Sequence, residues 1–357
     1  MSRLEAVVLT EFPRGAWWMT GLRENQYHGD DNKRRCIRAG LTPDQDVGYA
    51  EHSNVVQQLL VLNKPFVVLR FPDQAAQLHL WDSLFNQDHG IVMNGYGILL
   101  SQFGEKRRQK EVEIFSPLYE GLGIPLHRLD CPEAALEGGD VIYDNKRKIF
   151  LAGIESRNNQ RGIDAFSEFS GYAGIPIRSG SFHIDTITAL LHSSNESGEG
   201  LFVYVQGTIQ NIEDVERFVR QHGYKPFQLN ASELGFIFRN NGTTLYGPDG
   251  KEIQGESMVG NFLQTNSHVL SPHKISTPGF YDELGEIGLT HIVTPQTQYI
   301  MFASGGNRCA GQVVTVDIDM VKSAFQSGIV KAFYFPGVGL HNKETSFSGQ
   351  NNLSKPN

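Results

Sequence analysis

Cys309 stands in FASGGNRCAGQVVTV (302–316), a small, polar, glycine-rich turn that runs into an apolar strand. A free cysteine is most often a small buried core residue. A turn that delivers a thiol to the mouth of a strand is also where a nucleophile would be held. Such a cysteine needs a nearby group that moves protons. His183, in SFHIDT, is the candidate. Other polar turns carry Asp88, Glu137, Asp140 and Asp185. Carboxylates gathered round one thiol repel one another, and one stays protonated unless a cation compensates. A planar guanidinium suits the cluster best. It presents five N–H donors in a fixed fork that two carboxylates can clamp. Its charge would also favour thiolate over thiol, activating the sulfur as the ligand binds. A metal site built on His183 and the acids is a poor alternative, because no HxxxH or CxxC spacing is present. No metal or cofactor is expected.

The elements that must position these residues recur along the chain. The unit is an amphipathic helix, a short glycine or asparagine stop, then a short strand. It is read in EHSNVVQQLLVLNKPFVVLRF, KEVEIFSPLYEGLGIPLHRLD, GIDAFSEFSGYAGIPIRSG, IEDVERFVRQHGYKPFQLN and TPGFYDELGEIGLTHIVTP. Gly123, Gly174, Gly223 and Gly288 stand where a left-handed stop is needed, which glycine adopts cheaply. Each unit is followed by further strands, in GIVMNGYGILLS, DVIYDNKRKIFLAG, HIDTITALL…GLFVYV, LGFIFRNNGTTLYG and VVTVDI. A ββαβ unit of this size cannot bury its own apolar face. Five of them are expected to close into a ring, helices outside and strand ends at the axis. The turns expected to meet there are LHLWDSLFNQDHG, LDCPEAALEGGD, RSGSFHIDT, LNASELG and ASGGNRCAG. The chain reads as one α/β domain over 1–345, with a polar tail at 346–357.

Composition narrows the partners. The net charge is −8 and the pI about 5.8, with no basic block, which argues against nucleic acid and weakly favours a small cationic ligand. Three widely spaced cysteines form neither a disulfide framework nor a metal pair and fit a reducing compartment. No signal peptide or membrane span is read, so a cytoplasmic protein without membrane partners is expected. A homo-oligomer is left open.

The motifs DSLFNQD, RRQKE, LEGGDV, ESRNNQRG, HIDT and GGNRC occur in an order that resembles the guanidino-group-modifying (pentein) superfamily. That superfamily includes dimethylarginine dimethylaminohydrolase, arginine deiminase and the amidinotransferases. The match runs from about Asp82 to Cys309. It implies a pseudo-fivefold symmetric α/β propeller, in agreement with the repeat count. It implies that Cys309 attacks a guanidinium carbon to give a covalent thiouronium, and that His183 protonates the departing amine and then activates water. Asp88 and Glu137 would hold the guanidinium nitrogens. Asp140 and Asp185 match further acidic positions of arginine deiminases and amidinotransferases. Arg108 and Arg157 match positions that hold the substrate carboxylate, and Asp82 matches an aspartate lining the dimethylaminohydrolase site. Gln87 stands where dimethylaminohydrolases usually carry glutamate, and Asp185 is not typical of them. The first sixty residues match no family segment. The reaction implied is hydrolysis of the guanidine of arginine or a derivative to citrulline or a ureido product. The alternatives are amidino transfer to an amine and a catalytically inactive propeller that binds guanidines or a protein. Ordinary roles also stand beside these: a hairpin cap for Asp88, a plain turn for EGGD, surface salt bridges for Arg108 and Arg157, and packing for Trp81.

Overall fold

The computed structural model describes residues 2–13, 44–93, 97–106, 108–154, 157–181, 183–195, 198–237, 239–240, 243–244, 246, 250–252, 254–256, 258–295 and 306–343. Segment 16–36 and the polar tail at 346–357 lie outside them.

Strand β1 (Arg3–Thr10) is followed by α1 (Gln45–Val61), β2 (Phe66–Leu69) and the short α2 (Asp73–Gln77). A hairpin of β3 (Gly90–Met93) and β4 (Gly97–Leu100) then crosses over α3 (Gln109–Glu120) to β5 (Leu126–His127), parallel to β4. The same unit recurs as β6 (Val141–Asp144), β7 (Ile149–Ile154), α4 (Gln160–Ser170) and β8 (Ala173–Arg178). It recurs again as β9 (Thr188–Leu191), β10 (Gly200–Val205), α5 (Ile212–Gln221) and β11 (Tyr224–Leu229). Short strands β12 (Gly235–Ile237), β13 (Arg239–Asn240), β14 (Thr243–Thr244) and β15 (Gln254–Glu256) pair only among themselves. The fourth full unit is β16 (Leu263–Thr265), β17 (His268–Ser271), α6 (Phe280–Glu286) and β18 (Thr290–Val293). One turn of helix, α7 (Asn307–Ala310), leads into β19 (Gly311–Asp317). Strand β19 pairs antiparallel with β1, which pairs parallel with β2, so the fifth unit is assembled from both ends of the described chain. Helix α8 (Ile318–Ser327), β20 (Val330–Phe335) and β21 (Gly339–Asn342) extend that sheet beyond β2.

Neighbouring sheets touch in ring order, with β19 beside β3, β6 beside β9, and α7 beside β16 and β17. The fold is a five-bladed α/β propeller of ββαβ units. Each helix covers its sheet with one apolar face. On α3, Val112, Phe115 and Tyr119 are buried against Ile98 and Leu100 of β4. A fully buried side chain such as Phe115 contributes ~1.5–3 kcal/mol over the exposed state. Side-chain oxygens of Asp44, Asn159 and Asp317 cap α1, α4 and α8 by accepting first-turn N–H groups.

Two details differ from expectation. LGFIFRNNGTTLYG does not supply the fourth blade; its strands belong to the excursion β12–β15, and the blade uses LQT and HVLS instead. The third stop is Gly171 (φ 68°), not Gly174. Gly174 lies in β8, where a Cβ would come 2.1 Å from the Phe150 ring. Gly123, Gly223 and Gly288 are left-handed as expected, and Asn63 ends the stop after α1 at φ 54°. Trp81 is buried and stacked on Phe71 at 5.7 Å.

Candidate active site

The innermost strand of every blade is entered through a tight turn, and these turns meet. A 3-10 turn at Asn86–His89 precedes β3, one at Gly138–Asp140 precedes β6, and one at Ile184–Thr186 precedes β9. A bend closed by the Asn261 N–H to Met258 C=O bond (3.0 Å) precedes β16, and α7 precedes β19. The turns deliver Asp88, then Glu137 and Asp140, then His183 and Asp185, then Asn261, then Cys309. EGGD serves close approach: a Cβ on Gly138 would lie 2.1 Å from Gln87 C=O, and one on Gly139 2.2 Å from Asp88 Oδ1 and 2.8 Å from the His183 ring. The expected turn LNASELG does not take part. Its Glu233 instead accepts from Ser276 N–H and the Thr277 hydroxyl.

Cys309, His183, Glu137, Asp88, Asp140 and Asp185 are all buried. Cys309 Sγ lies 3.6 Å from Asp185 Oδ2. His183 Nε2 hydrogen-bonds Glu137 Oε1 at 3.0 Å, and its Nδ1 faces Asp88 Oδ1 at 3.9 Å. Asp140 Oδ1 accepts the Ile184 N–H at 2.9 Å and so anchors the histidine turn. Arg108 is buried at the centre of the acids. Its Nη1 pairs with Glu137 Oε1, its Nη2 reaches Asp88 Oδ2 at 3.0 Å, and Nε and Nη2 each reach a Glu111 oxygen at 3.1 Å. It is thus bonded to three protein carboxylates, not to a surface partner. Arg157 Nη1 lies 3.8 Å from Glu137 Oε2, also buried. Arg308 Nε lies 3.6 Å from Asp185 Oδ2. Half-buried Asp82 acts on the cluster by raising Glu111. Three buried carboxylate oxygens, Asp88 Oδ1, Asp140 Oδ2 and Asp185 Oδ1, have no hydrogen-bond donor.

Burial penalises every charge here, and local partners decide which survive. Burial would raise Glu137, but Arg108, Arg157 and His183 hold it well below its usual range. Burial works against a charged His183, yet Asp88 and Glu137 raise it to about 9. Burial lifts Asp185 to about 6 and Asp140 to about 7, and raises Asp88 and Glu111, the latter to about 8. Burial, then Asp185 and Asp88, push the Cys309 thiol well up. At neutral pH the site therefore holds an imidazolium, an ionised Glu137 and a protonated thiol. Asp88, Glu137 and His183 offer ligand atoms within 4.8 Å of one another. A divalent ion there would compete with Arg108, whose guanidinium already sits on both carboxylates.

Residues 25–197 match the family described as N,N dimethylarginine dimethylhydrolase, eukaryotic. The N-terminal domain of ArgZ, an arginine dihydrolase from the ornithine–ammonia cycle in cyanobacteria, is similar in structure. Solved as a cysteine-to-serine mutant bound to substrate, it matches with a TM-score of 0.61 at 15% identity, over 87% of this chain and 98% of that one. DDAH from Pseudomonas aeruginosa, a cysteine-to-serine mutant complexed with citrulline, gives 0.60 at 16% identity, over 87% and 98%. The chain shares the fold of these proteins. AgrE, as a cysteine-to-alanine mutant with L-arginine, gives 0.59 at 16% identity, over 88% of this chain and 40% of that one.

The chain has residues at its centre that its sequence did not announce. From α3, three residues on, Glu111 accepts from Arg108 Nε and Nη2, each at 3.1 Å. Asn158 accepts the Glu137 N–H at 2.7 Å and donates to the Asp140 and Gly153 carbonyls, tying the second turn together. Asn261 donates to Cys309 Sγ at 2.9 Å. Gln87, at the unusual position, donates to the Gly138 carbonyl at 3.2 Å and bridges two turns. Signals for these existed only in part: RRQKE places Glu111 one helical turn after Arg108, and SRNNQRG holds Asn158, but a lone asparagine ahead of LQT carries no signature. Among the described residues, no helix is long and apolar enough to cross a membrane.

Proposed function

We propose that the protein hydrolyses the guanidine group of arginine or an arginine derivative through a covalent thiouronium on Cys309, giving citrulline or a ureido product. The observation that carries this reading is Cys309 Sγ 3.6 Å from Asp185, whose Oδ1 is, like Asp88 Oδ1 and Asp140 Oδ2, buried without a hydrogen-bond donor. A guanidinium supplies the N–H fork those oxygens lack. It also brings the charge that favours release of the Cys309 proton to bulk water as the substrate enters. Sulfur then adds to the guanidinium carbon. His183, protonated at neutral pH, donates a proton to the departing amine as the C–N bond breaks. The neutral imidazole next takes a proton from water, which adds to the thiouronium carbon. The C–S bond breaks, releasing the ureido product and restoring the thiol. Glu137 holds the His183 ring and its charge throughout. Arg108 keeps Glu137 ionised and donates to Asp88, while Arg157 stands on the other side of Glu137 for a substrate carboxylate.

The test is a panel of arginine, asymmetric dimethylarginine, agmatine and guanidino acids, assayed for ureido product with and without an acceptor amine. Ureido product from at least one member, with amine released in equal amount, is expected. Product only when an acceptor amine is present would replace hydrolysis by amidino transfer. No product and no labelling of Cys309 by a thiol-reactive arginine mimic would leave an inactive guanidine-binding propeller.

A further inference from the structure

Asn261 is fully buried in the turn that enters the fourth blade. Its Oδ1 accepts the backbone N–H of Arg308 at 2.7 Å and of Cys309 at 3.2 Å. Two N–H donors at that atom fix which end of the amide is oxygen. The NH₂ end must face the other way, where Nδ2 lies 2.9 Å from Cys309 Sγ and 3.3 Å from Asp185 Oδ2. Gly306 makes room for this arrangement, since a Cβ there would come 2.8 Å from Asn261 Oδ1. One side chain therefore grips the α7 backbone with its oxygen and the sulfur with its nitrogen.

We propose that Asn261 is the positioning residue for the nucleophile, donating one N–H to the Cys309 thiolate and the other to Asp185. This rests on Cys309 being the nucleophile of the proposed reaction. A donor aimed at sulfur favours the charged form. Burial, Asp185 and Asp88 disfavour that form, and a backbone hydrogen bond at Gly306 joins Asn261 in supporting it. His183 and Arg308 act from beyond Asp185, where each lowers that carboxyl. Asn261 thus holds Sγ toward the oxygens that receive the guanidinium and lowers the cost of the thiolate without adding a cation that would repel one.

The experiment is alkylation of Cys309 by iodoacetamide across the alkaline range, without substrate, read by mass spectrometry of the Cys309 peptide. Asn261→Asp keeps an oxygen for the N–H groups of Arg308 and Cys309 but exchanges the donor for an acceptor. Its reactivity profile should move up by about one to two pH units, the scale of a hydrogen bond to a charged group. That is a roughly ten- to hundredfold slower reaction below the midpoint. Asn261→Leu, which removes the donor without adding a charge, should move the midpoint the same way, and a midpoint that stays at the parental value in Asn261→Leu overturns the proposal. Should neither variant fold, the parent protein supplies the reading. The Asn261 side-chain amide resonances should titrate with the alkylation midpoint, and resonances that stay fixed would overturn the proposal equally. Neither measurement needs turnover. A protein that hydrolyses no guanidine yet shows the shift sinks the hydrolase reading and leaves the role of Asn261 standing.

Discussion

At the residue scale, the resting site pairs a thiol with an imidazolium, both maintained by buried carboxylates. A neutral nucleophile and a charged acid give a site that waits for a cation. Cys309→Ser should lower kcat by roughly a thousandfold or more, because serine lacks the accessible anion of cysteine. It should still bind the guanidine, since Asp88 and Asp185 remain. The parent enzyme, quenched in acid during turnover, should carry an amidino-type mass on Cys309. A serine variant near the parental rate would remove the nucleophile assignment. Asp185 sets substrate choice by the same logic. A dimethylated nitrogen offers its Oδ1 no donor and leaves a buried charge unpaired, which costs several kcal/mol. Asp185→Ala should therefore lose more rate on arginine than on asymmetric dimethylarginine. An intact enzyme already faster on the dimethylated substrate, with the variant indifferent to methylation, would contradict this. Arg108 offers a stability test. Arg108→Met removes the cation shared by Asp88, Glu111 and Glu137 in a buried site, an expected loss of about 3–5 kcal/mol by chemical denaturation. Adding Glu111→Gln should recover part of that loss.

At the element scale, the glycines that end the helices differ in what surrounds them, and their substitutions should differ accordingly. Gly171 (φ 68°) faces open space, so Gly171→Ala meets only the left-handed backbone cost, about 1 kcal/mol. At Gly123 (φ 74°) a Cβ would also come 2.7 Å from Asp317 Cβ and 2.9 Å from Met320 Sδ. Gly123→Ala should cost more, and equal losses in urea titrations would argue that the seam between α3 and α8 yields freely. The same scale explains what the sequence disclosed. Motifs around Asp88, Glu137, His183 and Cys309 were legible because each lies in a polar turn ahead of a recognisable apolar strand. Asn261 was not. The excursion 235–256 supplied a strand-like pattern, FIFRNNGTTLY, that competed with the shorter LQT, and the fourth turn was sought one segment too early. Gly174 was mistaken for a stop because a glycine just past an amphipathic run fits either the helix end or the strand that follows. Only the Phe150 ring pressed against it decides.

At the scale of the whole molecule, the ring was legible because the ββαβ unit repeats with its helix, stop and parallel strand in constant order. The site at its axis makes stability depend on pH in a stated direction. Asp185 and Asp140, lifted by burial to about 6 and 7, bind protons in the native state that an unfolded carboxyl has already released. Their contribution to stability is therefore lost as pH rises from the ordinary carboxylate range through those values. His183, raised to about 9 from 6.5 by Asp88 and Glu137 against burial, contributes fully below 6.5 and loses its contribution as pH rises through 9. Below about 6.5, His52, His89, His273 and His291, all held down by burial, act in the opposite direction, so the melting temperature should fall from neutral to alkaline pH. Asp140→Asn, which keeps an acceptor for the Ile184 N–H, should flatten the neutral part of that slope. A melting temperature that climbs steadily over the same range would show that these groups are not perturbed as described.

The seam between β1 and β19 carries a consequence for how the molecule comes to exist. Arg3 pairs with Asp317 and Leu9 with Gly311, so the pairing that precedes Cys309's own strand joins the most distant parts of the described chain. Asn86 fastens the seam by donating to both the Val8 and Ala310 carbonyls. Four blades can form from local hairpins and crossovers as the polypeptide leaves the ribosome, whereas the fifth must wait for residues some three hundred positions later. During that wait β1, with Ala6 to Leu9 destined for the interior, is an unpaired apolar edge of the kind that aggregates. High contact order makes the closing step slow. The turn that carries Cys309 is thereby the last of the five to be fixed in place.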